Sequence, residues 1–545
     1  MTADMAHWPE EDARTYRAAG YWRGETYADH LTRLADEHGD RTAVVDERVR
    51  LSYLELDARA VRVAHGLTGL GIGAGDRVLV QLPNRAEFLV LWFALAKIGA
   101  VPVHTQPGHR HAELTHLARL SEASAYVIPD THARFDHRDL AETVRGAAPS
   151  LRHVIVVGDP GDHGFTAYSD LEGARPAEPL PPHGARSGDM ALLLLSGGTT
   201  GLPKLIPRTH DDYLYNARAA GEVCGLGPDT VYLAVLPVAF NYTMNCPGVL
   251  GALAVGGTVV MAPDPDPALC QSLVEAEGVT VTSINPQLAP LWLEEAAAGA
   301  ADLSTLQILQ VGSARLADDV AKRMVAELDC TVQQIFGMAE GLICLTRPTD
   351  PPEIVTTTQG RPISEADEVR VVDDDGTEVP EGEVGELLTR GPYTLRGYYR
   401  AAEHNARSFT ADGFYRTGDR VRRVPTGHLI VAGRSKDQIN RAGEKIAATE
   451  VEGHLAAHPT IRSAALVPAP DPVLGERSVA FVETTGQGTP TRRDLVGFLA
   501  ERGLAAYKVP DEVRALDAMP LTPVGKADKK ALAALLAETA EGAAR

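Results

Sequence analysis

Short runs of β-branched and aliphatic residues recur at 77–81, 125–128, 153–157, 258–261 and 279–283, separated by longer stretches whose apolar positions repeat with a helical period. This alternation predicts stacked βα units, which pack into doubly wound, mostly parallel sheets covered by helices. Another apolar strand is predicted at Met190–Leu195, just after a stretch at 174–189 whose Pro, Gly, Ala and charge mark an exposed connector. The most apolar run, 88–103, is broken by Lys97 and Gly99. It falls short of the roughly 20 residues that a spanning helix needs, and reads as a buried helix running into a strand.

Between 363 and 399 the pattern changes to short alternating strands separated by turns, which predicts a small antiparallel sheet. After Gly433 the chain carries its own helices, at 448–457 and 492–502, and strands, at 464–468 and 478–483. That is enough for a small α+β domain, capped by the final Ala-rich helix. The expected organisation is therefore an N-terminal α/β core domain over 1–433 and a C-terminal domain over 434–545. No internal repeat at a solenoid period is visible.

Composition narrows the possible functions. A chain of 545 residues outgrows a single core, and 44% hydrophobic with 23% charged residues is ordinary globular composition. Fifty-two Lys and Arg against 73 Asp and Glu give a formal charge of -21, which repels nucleic acid and anionic membranes as partners. The five cysteines are scattered without metal-ligand spacing, and residues 1–23 lack the apolar core of a signal peptide. A cytoplasmic location is expected.

The strongest local signal follows the predicted strand at Met190–Leu195: Ser196, Gly197, Gly198, Thr199, Thr200, Gly201, Leu202, Pro203 and Lys204. Glycines let successive N–H groups converge on an anion, while hydroxyls and a lysine add donors and charge, so the segment suits a phosphate. No Gly-Lys-Ser/Thr closes it, so it is not a P-loop. The acidic run at 373–376 lacks the ligand spacing of a calcium loop and reads as a turn.

This glycine-rich segment resembles the signature loop of the adenylate-forming superfamily of acyl-CoA synthetases, adenylation enzymes and luciferases. Further motifs follow in the superfamily's order. They are Phe336-Gly337-Met338-Ala339-Glu340, Tyr415-Arg416-Thr417-Gly418-Asp419, Gly433-Arg434-Ser435-Lys436-Asp437 and Pro523-Val524-Gly525-Lys526. The resemblance implies ATP and Mg²⁺, with Glu340 as the metal carboxylate and Asp419 on the ribose hydroxyls. Arg434 would serve at the ribose or phosphate, and Phe336 beside the adenine or aryl ring. Lys526 would sit between the attacking carboxylate and the α-phosphate, where two anions must meet and charge must be neutralised. Lys436 would be the hinge of a mobile C-terminal domain, which then turns its Gly443, Glu444 and Lys445 face to the thiol entry.

Within the superfamily, QQIFGMAEGL, LLTRGPYTLRGYY, DGFYRTGD and KDQINRAGEK resemble stand-alone aryl-acid AMP ligases of siderophore and related nonribosomal pathways, such as 2,3-dihydroxybenzoate- and salicylate-activating enzymes. The expected partner is an aryl carrier protein bearing phosphopantetheine. The resemblance places Phe240, Asn241, Tyr242 and Cys246 in the aryl pocket, with Gly312, Ser313, Gly337 and Ile343 lining the same space. Met244 and Ile343 equally suit core packing. Asn241 can bond an ortho substituent or the carboxylate, and Tyr242 can pack on the ring. Phe240 stands where relatives commonly carry His, and Cys246 where they carry Ser or Cys. A thiol is a weak donor, so a 3-hydroxyl loses a partner and salicylate is favoured over 2,3-dihydroxybenzoate. Other substituted benzoates and heteroaryl acids also suit the sequence. The alternatives are an aryl- or acyl-CoA ligase, which shares the first half-reaction, and a non-catalytic acyl-adenylate-binding protein.

Overall fold

The architecture comes from a computed structural model of the chain. It describes all residues except 1–4, 174–179, 181–183, 197–202, 287, 314, 317, 374, 435–437, 487, 521–526, 530 and 537–545. Most of the expected connector at 174–189 and the end of the Ala-rich helix thus lie outside the described residues. The contacts divide the chain into two compact units, one largely within 1–433 and the other largely within 434–545.

The first unit is built on two doubly wound sheets. Among the described residues, one sheet has nine strands, with Thr331–Gly337, Ile308–Val311, Val281–Ile284, Val231–Ala234, Thr258–Met261 and Thr42–Val45 as its parallel body. Antiparallel strands close both edges: Ile343–Leu345 and Arg361–Pro362 on one side, Arg50–Ser52 on the other. The other sheet has seven strands, with Val101–His104, Arg77–Val80, Ala125–Pro129 and His153–Val157 at its parallel centre. At its edge Met190–Leu195 pairs antiparallel with Leu205–Thr209, and the register of Leu195 with Leu205 fixes both ends of the Ser196–Lys204 segment.

Helices cover these sheets because their sequences carry apolar faces and strong start signals. Helix His210–Cys224 opens on a capping box between Thr209 and Asp212 and ends at Gly225 in the left-handed region. The apolar run expected to be buried forms helix Ala86–Lys97, in which every residue but Glu87 is buried, and leads into strand Val101–His104.

The small antiparallel sheet extends beyond the expected limit of 399. Glu368–Val372 and Val384–Arg390 are joined by Tyr415–Arg423 and Leu429–Arg434. The third strand hides from a period-2 reading because a bulge interrupts it. Leu388 pairs with Arg416 and Glu386 with Arg420, which leaves Thr417, Gly418 and Asp419 opposite Leu387 alone. Gly418 supplies the positive φ, 72°, that this bulge requires.

Among the described residues, the second unit is built on a five-stranded sheet of Glu444–Ala447, Gln438–Arg441, Gly475–Thr484, Ile461–Asp471 and Glu512–Leu516. Helices Ala448–Leu455 and Arg492–Glu501 contribute Val451, Leu455, Leu495 and Leu499 to its core. Both long central strands outrun their predicted lengths because they pair with each other over ten positions.

Candidate active site

In open α/β sheets, ligands bind beyond the carboxyl ends of the strands. The described candidate residues of the large sheet gather there. Gly312 and Ser313 follow strand Ile308–Val311, Phe336 and Gly337 end strand Thr331–Gly337, and Phe240 to Cys246 follow Val231–Ala234. A Cβ on Gly312 would stand 3.0 Å from Tyr242 Cζ and 3.1 Å from Ile335, and a Cβ on Gly337 would stand 3.2 Å from Ile343 Cγ1. The missing side chains let the Tyr242 ring and the Ile343 strand close on the same strand ends.

Asn241 starts the short helix Asn241–Asn245 and is buried. Its Oδ1 accepts from the Tyr213 hydroxyl at 2.8 Å, and its Nδ2 faces Cys246 Sγ at 3.8 Å. An ionised carboxylate only accepts, so the amide N–H is the group Asn241 could offer one. Cys246 Sγ lies 3.7 Å from the Asn241 carbonyl, and burial pushes its thiol up to about 12, so it stays neutral. Tyr242 donates to the Ile284 carbonyl at 3.3 Å and meets the half-buried Phe240 ring edge-on, centroids 6.3 Å apart. Met244 is fully buried, as core packing expects.

Glu340 is buried and caught in a network joining three sequence motifs. The Tyr398 hydroxyl donates to Glu340 Oε1 at 2.8 Å and lies 2.7 Å from the Tyr415 hydroxyl, while the Leu395 N–H donates to the Glu340 carbonyl at 2.7 Å. Burial, and then the Glu340 charge, push the Tyr398 hydroxyl well above its ordinary pKa. One carboxylate oxygen is therefore held while no hydrogen bond falls on the other among the described residues. A single fixed carboxylate suits Mg²⁺, which takes few protein ligands and fills its shell with phosphate and water oxygens. Asp419 is buried in the bulge, where its N–H donates to Thr417 Oγ1 at 3.0 Å. Ala339 and Phe336 are half-buried, Met338 is buried, and Gly337 is exposed.

Sequence reasoning missed Arg208. Its side chain is fully buried and pairs with Asp212 at 2.6 Å. Its Nη1 donates to the Ala339 carbonyl at 3.0 Å, and its guanidinium lies 4.8 Å from the centroid of Tyr213, the ring that holds Asn241. One arginine therefore ties helix His210–Cys224, whose Tyr213 holds Asn241, to the Glu340 turn. Tyr398 was likewise legible only as part of a quoted stretch.

Several expected residues lie outside the described positions: Gly197, Gly198, Thr199, Thr200, Gly201, Lys436 and Lys526. Ser196 is buried and Lys204 half-buried at the ends of the glycine-rich segment. Arg434 ends strand Leu429–Arg434. Gly443 and Lys445 belong to the second unit, where Ala442 and Gly443 form the two-residue turn of a hairpin and Lys445 pairs with Asn440.

The chain matches the family models "AMP-binding enzyme" over residues 31–399 and "AMP-binding enzyme C-terminal domain" over 450–526. It is 51% identical to a 2,3-dihydroxybenzoate-AMP ligase of Bacillus subtilis, over 99% of this chain and 98% of that protein. It is 50% identical to a salicyl-AMP ligase / salicyl-S-ArCP synthetase of Mycobacterium tuberculosis, over 96% and 93%. The apo structure of Mycobacterium smegmatis MbtA superposes with a TM-score of 0.75 at 48% identity, covering 98% of this chain and 99% of that one. With both family models matched in order and identity sustained over nearly the full length of such relatives, the chain belongs to the AMP-binding enzyme family.

Proposed function

We propose that the protein uses ATP to activate an aromatic carboxylic acid, salicylate or another substituted benzoate or heteroaryl acid, as its acyl-adenylate. It then passes the acyl group to the phosphopantetheine thiol of an aryl carrier protein. The observation that carries this reading is the close approach of Tyr242 to Gly312 and of Ile343 to Gly337 at the carboxyl ends of neighbouring parallel strands, with Asn241 next to Tyr242 in the chain and Glu340 three residues beyond Gly337. The sequence similarity to aryl-acid AMP ligases supports the same acid class.

In the first step a carboxylate oxygen of the acid attacks the α-phosphorus of ATP and the bond to pyrophosphate breaks. Asn241 donates through Nδ2 to an oxygen of the acid, and Tyr242 packs against its ring. Mg²⁺, when bound, draws charge from the phosphate oxygens, and Glu340 would be its protein ligand. Asp419 takes the ribose hydroxyls, the Ser196–Lys204 segment holds phosphate, and Lys526 neutralises charge between the two reactants. In the second step the thiolate attacks the acyl carbon and AMP leaves. Lys436 serves as hinge and the Gly443 to Lys445 hairpin faces the incoming thiol. The neutral Cys246 thiol offers a 3-hydroxyl little, which favours salicylate over the catechol acid.

The test supplies ATP, Mg²⁺ and salicylate with either a phosphopantetheinylated aryl carrier protein or coenzyme A, and reads intact mass. Salicylation of the carrier, outpacing that of coenzyme A, is expected. Acylation of coenzyme A alone would make the protein a CoA ligase, and adenylate retained with no thioester would make it a binding protein.

A further inference from the structure

Tyr393 and Asp367 belong to none of the roles assigned above, yet they connect two of them. Tyr393 is fully buried. Its hydroxyl donates to Asp367 Oδ2 at 2.5 Å and accepts from the Ile343 N–H at 3.3 Å. The Ile343 carbonyl accepts from the Ile363 N–H at 3.0 Å, so both main-chain groups of Ile343 are held. Ile343 in turn pairs with Gly337. Two residues beyond Tyr393, Leu395 holds the Glu340 carbonyl, and Tyr398 holds its carboxylate. The single stretch 393–398 thus grips both the strand that faces the aryl side and the turn that carries Glu340.

Asp367 is what orients the tyrosine. Its Oδ2 also takes the Ser364 N–H at 3.3 Å, while its Oδ1 is cut off from solvent and has no partner among the described residues. The titratable groups around it are Tyr393, the Cys344 thiol on the neighbouring strand, and Tyr215, whose hydroxyl meets Ser364 Oγ at 2.6 Å. The adjacent Glu368 and Arg390 are paired with each other at 2.7 Å, and Arg347, which acts on Cys344, donates to the carbonyls of Arg361 and Pro362. Among the described residues no cation offsets the burial, which pushes the Asp367 carboxyl up to about 7.

We propose that Tyr393, oriented by Asp367, is a positioning residue for adenylate formation, holding Ile343 in the placement relative to the Glu340 turn that the acid requires. This rests on the reading of Ile343 and Glu340 as site residues. Because the Tyr393 proton points at the carboxylate, its oxygen faces Ile343, and an ionised Asp367 strengthens both links of the chain. The device therefore tightens as pH rises through 7, while a carboxylic acid substrate stays ionised throughout.

The test is aromatic-acid-dependent ATP–pyrophosphate exchange by the full chain, with salicylate, from pH 6 to 9. Tyr393→Phe removes only the hydroxyl and is expected to lower kcat/KM for the acid about 10-fold, chiefly through KM for the acid, with KM for ATP changed by less than about twofold. The wild type is expected to show a rise in kcat/KM through pH 7, and Asp367→Asn, which keeps the acceptor but cannot ionise, is expected to lack it. Unchanged constants in Tyr393→Phe, or the same rise in Asp367→Asn, overturn the inference while wild-type exchange leaves the proposed reaction standing. If Tyr393→Phe does not fold, the Asp367→Asn profile decides. Absence of exchange in the wild type overturns the reaction itself.

Discussion

Replacing Arg208 with Met tests the arginine that ties helix His210–Cys224 to the Glu340 turn. Arg208 and Asp212 are both fully shielded from solvent, so the substitution leaves a buried carboxylate whose remaining partners are the N–H and hydroxyl of Thr209. Removing one member of a buried ion pair costs about 3–5 kcal/mol, and the lost bond to the Ala339 carbonyl adds about 1 kcal/mol. Burial already raises the Asp212 pKa, with Arg208 as the leading opposing influence, so its loss raises it further. An acid whose folded pKa lies above its unfolded value contributes stability at low pH that is lost as pH rises toward the folded value. The Met variant should therefore be most destabilised at pH 8 and regain part of the loss at pH 5.5. Thermal unfolding of wild type, Arg208→Met and Arg208→Met/Asp212→Asn at both pH values checks this, with the double variant unfolding later than the single one at pH 8. A single variant as stable as wild type at pH 8, or one whose deficit does not change with pH, would refute the reasoning.

Two further substitutions probe the proposed metal carboxylate and the proposed acid pocket. Tyr398→Phe frees Glu340 Oε1 from its hydroxyl partner and should raise the Mg²⁺ concentration for half-maximal exchange about 10-fold, since a hydrogen bond to a charged group is worth about 1.5 kcal/mol or more; an unchanged Mg²⁺ requirement would argue against Glu340 as the ligand. Cys246→Ser replaces a neutral thiol with a good donor and should move the ratio of kcat/KM for 2,3-dihydroxybenzoate over salicylate upward about 10-fold, as competing exchange assays would show.

The parallel sheets were legible in the sequence because their strands are short, apolar and regularly interrupted by helical stretches. The run at 88–103 resolved as predicted because a helix buried on every face needs no amphipathic signal. The strand Tyr415–Arg423 was not legible, since a bulge breaks its alternation and its solvent side is charged. The family was legible from its motifs, by residue type and order. Arg208 and Tyr398 did not, because their roles come from contacts to Ala339 and Glu340 that lie 131 and 58 positions away. A buried arginine four residues from an aspartate reads locally as a helix-start ion pair, and only the tertiary fold shows that its second face reaches the Glu340 turn.

The proposed reaction needs a lysine's positive charge for an aromatic carboxylate to attack the α-phosphate of ATP. Exchange of labelled pyrophosphate into ATP, measured across a panel of aromatic acids and amino acids in wild type and Lys526→Ala, tests it most directly. Strong exchange is expected with a monocyclic aromatic acid, little with amino acids, and a fall of about 100-fold or more in the variant. Exchange independent of any aromatic acid, or equal in the variant, would contradict it.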